Sequence, residues 1–526
     1  MRRLCALWPV TASGGRKQKP APGAPVAGQT VTPRTAPAPR LKPAPPVRTL
    51  MPPHLDVMAA PLRVTADRIH AVAAPLRAMA APIRATADPV PVTVGPIRGT
   101  ADPIRVMAGL VPAIHDFRPP NRKGDRPIRG AAILLFLTLS APAFAQPTTP
   151  GVTDTEITLG QTMAYSGPAS AYGAFGKSET AYMRMINSKG GVHGRKINLI
   201  SLDDGYLPPR SMEQTRRLVE QDNVFFMFAP LGTASNVVLR KYLNDHKVPQ
   251  IFATSGIASF GDYKRYPWTI GWQPTYEIEG QVFVKYILKE RPDAKIAILF
   301  QNDDLGRDYV RGIERELGPR AKTMILGVQS YEITDATVES QIVSLQGTGA
   351  DTFIDVSTPK FAAQAIRKVY DIGWKPLHML SYTSAAVAAV MKPAGMEKGI
   401  GIISSTYFKA PTDPRWAEDE DYRRWTSFMD DYLPGADKTD IFYVIGYMMA
   451  NSVVQLLDQC GNDLTRENVM RQVANIDFRV PMLLPGMRIT TSPTDFYPIK
   501  TLQLERFDGK SFVLFGDPIT GVPNPK

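Results

Sequence analysis

Glu156-Ile157-Thr158-Leu159-Gly160-Gln161, then Tyr165-Ser166-Gly167-Pro168-Ala169-Ser170-Ala171-Tyr172-Gly173, then Arg195 to Leu202 closing at Asp203-Asp204, is the stretch whose reading decides the fold. The first piece reads as a short strand and the second as a polar, glycine-bearing loop. Between the second and third lies a helix carrying Tyr182, Met185 and Ile186, ending at Lys189-Gly190-Gly191. A strand, a crossover helix and a second strand form one βαβ unit, the connection that a parallel pair requires. In such sheets ligands sit where strand C-termini meet helix N-termini. The 165–173 loop occupies that place.

Working outward, the alternation continues. A helix is expected over 208–221. Val224-Phe225-Phe226-Met227-Phe228 is a continuous apolar run, as expected for a buried parallel strand. The loop 229–235 leads into a helix reaching His246, and a strand over 248–252 ends in the loop Ala253-Thr254-Ser255-Gly256. Strands are expected at 296–300, 323–332, 352–356 and 378–381, with helices at 304–317, 338–346 and 359–372. Regular alternation predicts an α/β fold with parallel sheets. Two further helical stretches, 415–432 and 440–458, precede tail strands at 500–506 and 510–515. Tyr443, Tyr447, Met448, Val454 and Leu457 fall at helical spacing and read as core.

The opening unit also carries a resemblance. Ser166-Gly167-Pro168, Tyr172-Gly173, Ile186-Asn187-Ser188-Lys189-Gly190-Gly191, Gly194-Arg195-Lys196 and Asp203-Asp204 together resemble the start of the branched-chain amino-acid-type (leucine/isoleucine/valine-type) periplasmic binding proteins, the extracytoplasmic receptors of ABC importers. The likeness runs from about Gly151 to the end of the chain. It implies two Rossmann-like lobes joined by a three-stranded hinge: lobe one from 152–274 with 407–480, lobe two from 275–406 with 481–526. The crossings would fall near Trp272-Gln273-Pro274, Thr406-Tyr407-Phe408 and Pro481–Pro485. A hinge of that kind lets the lobes close on a ligand as rigid bodies.

The composition is uneven. Residues 1–145 carry 20 Lys+Arg against 6 Asp+Glu, and the remainder 41 against 43, so the formal charge of +12 belongs to the leader. A nucleic-acid reading of the basic balance fails on that ground. Half of the 48 prolines also precede Ala145. Pro61, Pro75, Pro82, Pro89, Pro96 and Pro103 mark a seven-residue repeat, yet proline once per heptad forbids a continuous helix. Residues 1–121 therefore read as a low-complexity segment: a disordered arm or, preferred, an upstream repeat read through from a mis-called start, with Met107 one later start.

A secretion signal is expected over 122–145. Arg122, Lys123, Arg126 and Arg129 supply the positive region, 131–139 the apolar region, and Ala143-Phe144-Ala145 a small-x-small cleavage site. The apolar run is about half of the ~20 residues a membrane span needs. The expected mature residue, Gln146, is no lipoprotein cysteine. Periplasmic location without membrane insertion of the mature chain follows as an expectation. Cys460 stands alone beyond the leader, so neither an internal disulfide nor a cysteine metal site is expected.

Signals for an enzyme are weak. Ala171-Tyr172-Gly173-Ala174-Phe175-Gly176-Lys177-Ser178 approaches the phosphate-loop pattern, but Ala171 stands where its first glycine belongs. There is no nucleophile elbow or dinucleotide fingerprint. His193, His246 and His378 lack metal-pair spacing. Asp303-Asp304 reads as a helix N-cap and first turn, and Glu418-Asp419-Glu420-Asp421 as a solvated face. No catalysis, metal or cofactor is expected.

A binding protein instead needs hydroxyls and free N–H groups at strand ends. Ser166, Thr233, Thr254 and Ser255 lie on three successive loops, each before a helix, where hydroxyl and helix terminus can act together on an anion. On the opposite lobe Leu305, Thr358, Tyr382 and Thr383 occupy matching loops. The resemblance implies that Tyr172 packs against the ligand. It places Leu305 and Thr358 where those binders often carry tyrosine, and Leu380–Ser384 where they carry the acid that clamps an α-ammonium. No acid stands there. The expectation is a monomeric receptor that takes a small non-amino organic or aromatic acid in preference to an amino acid and hands it to ABC permease subunits. The alternatives are a ligand-sensing module of the same fold and a branched-chain amino acid binding protein.

Overall fold

The computed structural model describes residues 149–524. The leader and the expected cleavage site lie outside them. Fourteen strands follow in chain order: β1 (Glu156–Met163), β2 (Lys196–Asp203), β3 (Met227–Phe228), β4 (Gln250–Ala253), β5 (Thr269–Gly271), β6 (Ile296–Gln301), β7 (Ile325–Tyr331), β8 (Thr352–Val356), β9 (Leu377–Leu380), β10 (Ile403–Thr406), β11 (Asp477–Phe478), β12 (Ile489–Thr490), β13 (Thr501–Phe507) and β14 (Phe512–Thr520). They form two large sheets and one small hairpin-like pair.

The first sheet runs β2-β1-β3-β4-β5, all parallel. The second runs β14-β13-β10-β9-β8-β6-β7, in which the five strands from β10 to β7 are parallel and the tail strands β13 and β14 add antiparallel. Parallel strands put all their C-terminal ends on one edge of the sheet, so each sheet gathers its strand-to-helix loops on a single side. The structure is the expected α/β fold of two lobes. The apolar run at 224–228 is completely buried, but regular pairing narrows to Met227–Phe228. The Phe225 amide still bonds the Thr158 carbonyl at 2.7 Å. Met227 pairs with both β1 and β4, and Phe228 with β4.

The chain leaves the first sheet after Gly271 and enters the helix Tyr276–Glu290 beside the second. Beyond β10 it passes back through 407–409, and it crosses again through 482–484. These last two segments lie side by side: the Leu484 amide bonds the Tyr407 carbonyl at 3.0 Å and the Lys409 amide bonds the Met482 carbonyl at 2.8 Å.

The helix Ile441–Cys460 returns to the first lobe against the helix Gly173–Ser188. It is long and apolar enough to cross a membrane, yet 78% of its most apolar window is buried in the protein. Its approach depends on Gly446, where a Cβ would sit 2.6 Å from the Phe175 carbonyl oxygen. The Ser178 hydroxyl donates to the Tyr443 carbonyl at 2.7 Å in the same contact. Tyr447, Met448 and Leu457 are buried, as their spacing predicts, while Tyr443 and Val454 are half-buried.

Candidate ligand-binding site

The two rows of strand-end loops face each other across a cavity. Its walls are aromatic: Tyr172, Phe175, Tyr206, Tyr276, Tyr382 and Phe442, with Leu231, Leu305 and Ile445 beside them. Polar groups enter at Gly232, Thr233, Thr254, Gln273 and Thr383. No lining side chain is charged. Space free of atoms amounts to about 400 Å³ including the mouth, of which the centre of a water-sized sphere can visit about 30 Å³. Small-molecule sites commonly enclose roughly 300–1,000 Å³.

The lobe-one side is built on the N-terminus of the helix Thr233–Asp245, which no side chain caps. Its first turn leaves N–H groups and the positive end of the helix dipole available to an anion. Gly232 precedes it at φ 104°, and a Cβ there would lie 2.9 Å from the Tyr206 ring. Only glycine allows that backbone to approach the cavity wall. The Thr233 hydroxyl lies 2.8 Å from the Ser255 hydroxyl and 3.1 Å from that of Tyr276. Burial pushes the Tyr276 phenol up to about 12, with the bonds to Thr233, Gly256 and Ser255 opposing it, so it stays a neutral donor. The Thr254 hydroxyl donates to the Ala229 carbonyl at 3.2 Å. Ser255 is buried behind Thr233 and supports it without lining the cavity.

Ser166 is placed differently. It is exposed, and its hydroxyl donates to the Asp203 carboxylate at 2.6 Å while its amide bonds the same group at 3.1 Å. Partial burial raises the Asp203 pKa, but the bonds from Ser166, Gly205 and Tyr165 outweigh it and hold the carboxyl below its ordinary value. Ser166 is not among the lining residues. Thr358 also lies behind the wall, bonded to the hydroxyl of Tyr331 at 3.1 Å and to the Gln301 side-chain oxygen at 3.2 Å.

From lobe two, Leu305, Tyr382 and Thr383 reach the cavity. The Tyr382 hydroxyl donates to the Pro274 carbonyl at 2.9 Å, tying the second-lobe loop to the first crossing. The Thr383 carbonyl accepts the Tyr172 hydroxyl at 3.2 Å, a contact between the lobes. The Leu380–Ser384 loop brings no acid. Asp304 faces outward and pairs with Arg307 at 3.3 Å. Asp355 is buried, bonded by the Ser357 amide and hydroxyl and 3.6 Å from His378 Nε2. Asp303 caps the helix Asp304–Leu317 as its sequence position predicts, accepting the Leu305 amide at 2.9 Å. Burial pushes its carboxyl up to about 6 against the bonds from Gln301, Gly306 and Leu305.

Several wall residues carried no signal that sequence reading used. Tyr206 follows the end of β2, so the strand-end rule reaches it; Gln273 lies within the first crossing and Tyr276 just after it. Phe442 and Ile445 come from a helix more than two hundred residues downstream of the opening unit, where an apolar spacing reads as core. Among the described residues no group of three or more His, Cys, Asp and Glu could hold a metal ion.

Comparison with known proteins agrees with this architecture. The sequence model of the family described as "Periplasmic binding protein" matches residues 156–510. A Brucella suis protein named Leu/Ile/Val-binding protein homolog 7 is 23% identical over 280 residues, 52% of this chain and 68% of that one. A branched-chain amino acid ABC transporter structure from Thermus thermophilus with bound valine superposes with a TM-score of 0.63 at 16% identity, covering 70% of this chain and 98% of that one. A solute-binding protein of R. palustris in complex with 4-hydroxybenzoate gives a TM-score of 0.59 at 15% identity, covering 69% and 97%.

Proposed function

This chain belongs to the periplasmic binding protein family, and we propose that it is the extracytoplasmic receptor of an ABC importer for a small organic acid, preferably aromatic, that carries a carboxylate and no ammonium. The observation that carries this reading is the cavity's chemistry. It pairs aromatic walls with a polar pole, the Thr233 helix terminus and its hydroxyls, adds Gln273 and Thr383 to the polar lining, and holds no charged side chain. A carboxylate at that pole meets N–H and O–H donors and a favourable helix dipole. An aromatic body fills a box of Tyr172, Tyr206, Tyr276 and Phe442.

The same cavity disfavours an amino acid. A buried ammonium without a counter-charge loses several kcal/mol, and each ~1.4 kcal/mol is tenfold in affinity. We assign Tyr172, Thr233, Thr254, Leu305, Tyr382 and Thr383 to the ligand, Ser255 and Thr358 to the layer behind them, and Ser166 to the rim. In this reading lobe one comprises 152–274 with 407–480, and lobe two 275–406 with 481–526. The closed monomer then docks on its permease subunits.

The test is calorimetry and thermal shift with benzoate, phenylacetate, leucine and valine. Binding of an aromatic acid at least tenfold tighter than leucine supports the reading. Tight leucine binding with no response to either aromatic acid refutes the ligand class, and no response to any of a broad metabolite panel removes the receptor reading itself.

A further inference from the structure

Behind the second-lobe wall lies a buried carboxyl that the binding site does not use directly. Glu279, on the helix Tyr276–Glu290, is completely buried. One of its oxygens, Oε1, accepts the Tyr382 amide at 2.9 Å and the Ser405 hydroxyl at 2.5 Å. The other, Oε2, lies 2.5 Å from the Tyr309 hydroxyl. From there hydroxyls continue in file: Tyr309 to Ser381 at 2.7 Å, and Ser381 to Thr383 Oγ1 at 2.7 Å. Thr383 lines the cavity.

A file of hydroxyls has only two complete arrangements, because each O–H gives one proton to a neighbour. With Glu279 protonated, its Oε2–H donates to Tyr309, Tyr309 to Ser381, Ser381 to Thr383, and the Thr383 proton is free to point into the cavity. With Glu279 ionised every bond reverses. Tyr309 donates to the carboxylate, Ser381 to Tyr309 and Thr383 to Ser381, so Thr383 offers the cavity lone pairs only. The two states differ by one proton. It leaves at Thr383 as each hydroxyl hands its own proton on, and the Glu279 proton ends on Tyr309. Ser381 Oγ also accepts the Thr383 amide at 3.2 Å, which both arrangements accommodate.

We propose that Glu279 is a positioning residue for ligand selection, whose protonation state sets whether the Thr383 hydroxyl donates to the ligand or accepts from it. This rests on reading the cavity as the ligand site. The protonated form suits a carboxylate or carbonyl oxygen; the ionised form turns that anion away.

The surroundings favour a proton on Glu279 at neutral pH. Burial pushes its carboxyl up to about 8, with the bonds from Ser405, Tyr309, Tyr382 and Ser381 opposing the rise. The titratable groups facing it are Tyr309, Tyr382, Tyr407 and, from β13, Glu505. Glu505 is itself raised well above its ordinary value, chiefly by burial and also by the nearby Glu279 and Asp413 carboxyls. The neighbouring Glu277 faces Arg311 and Arg315. Affinity for an anion is therefore present below about pH 8 and lost as pH rises through it.

The test uses the full chain and two readouts. Infrared difference spectra follow the protonated-carboxyl band that E279Q removes. In the wild type this band should vanish near pH 8. T383V, which removes the last donor of the file, should move that midpoint upward, and Y309F should move it too. Calorimetry then follows benzoate on both sides of the midpoint. Loss of a donor to a charged group weakens wild-type binding by roughly ten- to a hundredfold, while E279Q, whose amide donates to Tyr309 permanently, keeps the low-pH affinity throughout. A midpoint untouched by T383V and Y309F, or parallel pH profiles for wild type and E279Q, overturns the proposal. If benzoate binds at no pH, the ligand class proposed above fails, and the infrared midpoints alone decide for or against the relay.

Discussion

The Tyr172 hydroxyl donates to the Thr383 carbonyl across the cleft at 3.2 Å. One partner sits at the entrance to the first helix of lobe one, the other on the loop after β9 of lobe two. The Tyr172 ring lines the cavity, and its edge meets Phe442 with centroids 5.0 Å apart. A single side chain thus touches the ligand space and holds the lobes together.

Tyr172→Phe keeps that ring and removes the interlobe bond. A neutral hydrogen bond contributes about 0.5–1.5 kcal/mol net, so ligand affinity should fall roughly two- to tenfold, mostly through faster dissociation. Stopped-flow release rates check this. An unchanged off-rate would mean that the bond does not hold the closed state.

Thr233→Val replaces the hydroxyl at the polar pole with a methyl of similar volume. It leaves Ser255 and Tyr276 short of a partner and takes one donor from the ligand's carboxylate. Affinity for an aromatic acid should fall by about 1.5–3 kcal/mol, while Ser166→Ala, at the rim, should leave it within twofold. Calorimetry on the two variants separates pole from rim, and equal losses would show that the ligand reaches Ser166.

The acids near the cleft give a sharper discrimination. Asp304 pairs with Arg307 at the surface, so Asp304→Ala should not alter affinity for any ligand. Asp303→Asn keeps a side-chain acceptor for the helix terminus and removes the charge, but it sets its NH2 against the Gln301 amide that donates to the carboxylate at 2.6 Å, so stability should fall by about 1–3 kcal/mol. Binding of benzoate should hold or improve, since the half-buried Asp303 carboxylate, which lies outside the lining but acts on Tyr172, Tyr206 and Tyr276, loses its charge. Leucine binding abolished by either change would place an ammonium clamp there.

Gly446→Ala tests the joint between the two lobe-one helices. The added methyl meets the Phe175 carbonyl oxygen at 2.6 Å and the Ser178 Cβ at 2.9 Å. Overpacking of this kind costs about 1–3 kcal/mol, read as a lower urea midpoint with unchanged slope. Since Phe442 and Ile445 sit one turn or less from the joint and line the cavity, ligand affinity should fall with it.

Stability should also depend on pH through Glu179. It is fully buried, with Oε2 accepting the Gln161 amide at 2.6 Å, and burial pushes its carboxyl up to about 8 against that bond. An unfolded glutamate ionises near ~4.3. Its stabilising contribution is complete below the unfolded value and is lost as pH rises to the folded one, at up to about 1.4 kcal/mol per pH unit. Urea denaturation across that window should show a smaller pH slope for Glu179→Gln than for the wild type. Parallel slopes would mean that the group ionises freely in the folded protein.

The sequence by itself determined the α/β architecture, the strand-end loops and most of the hydroxyls at the polar pole. These follow from local rules. Apolar runs and helical periods fix each element, and parallel strands must put their C-terminal loops on one edge. Even the Asp303 cap could be read from two adjacent acids before a helix. Only the tertiary structure decided which of those loop residues meet. It turned Ser166 to Asp203 and Thr358 to Gln301, and it brought Phe442 and Ile445 in from a helix whose spacing says no more than core. It also set Glu279 beneath Tyr382 and Thr383, more than a hundred residues away. Such contacts depend on sheet register and on how the lobes close. Both are set by long-range packing, which leaves no local pattern in the chain.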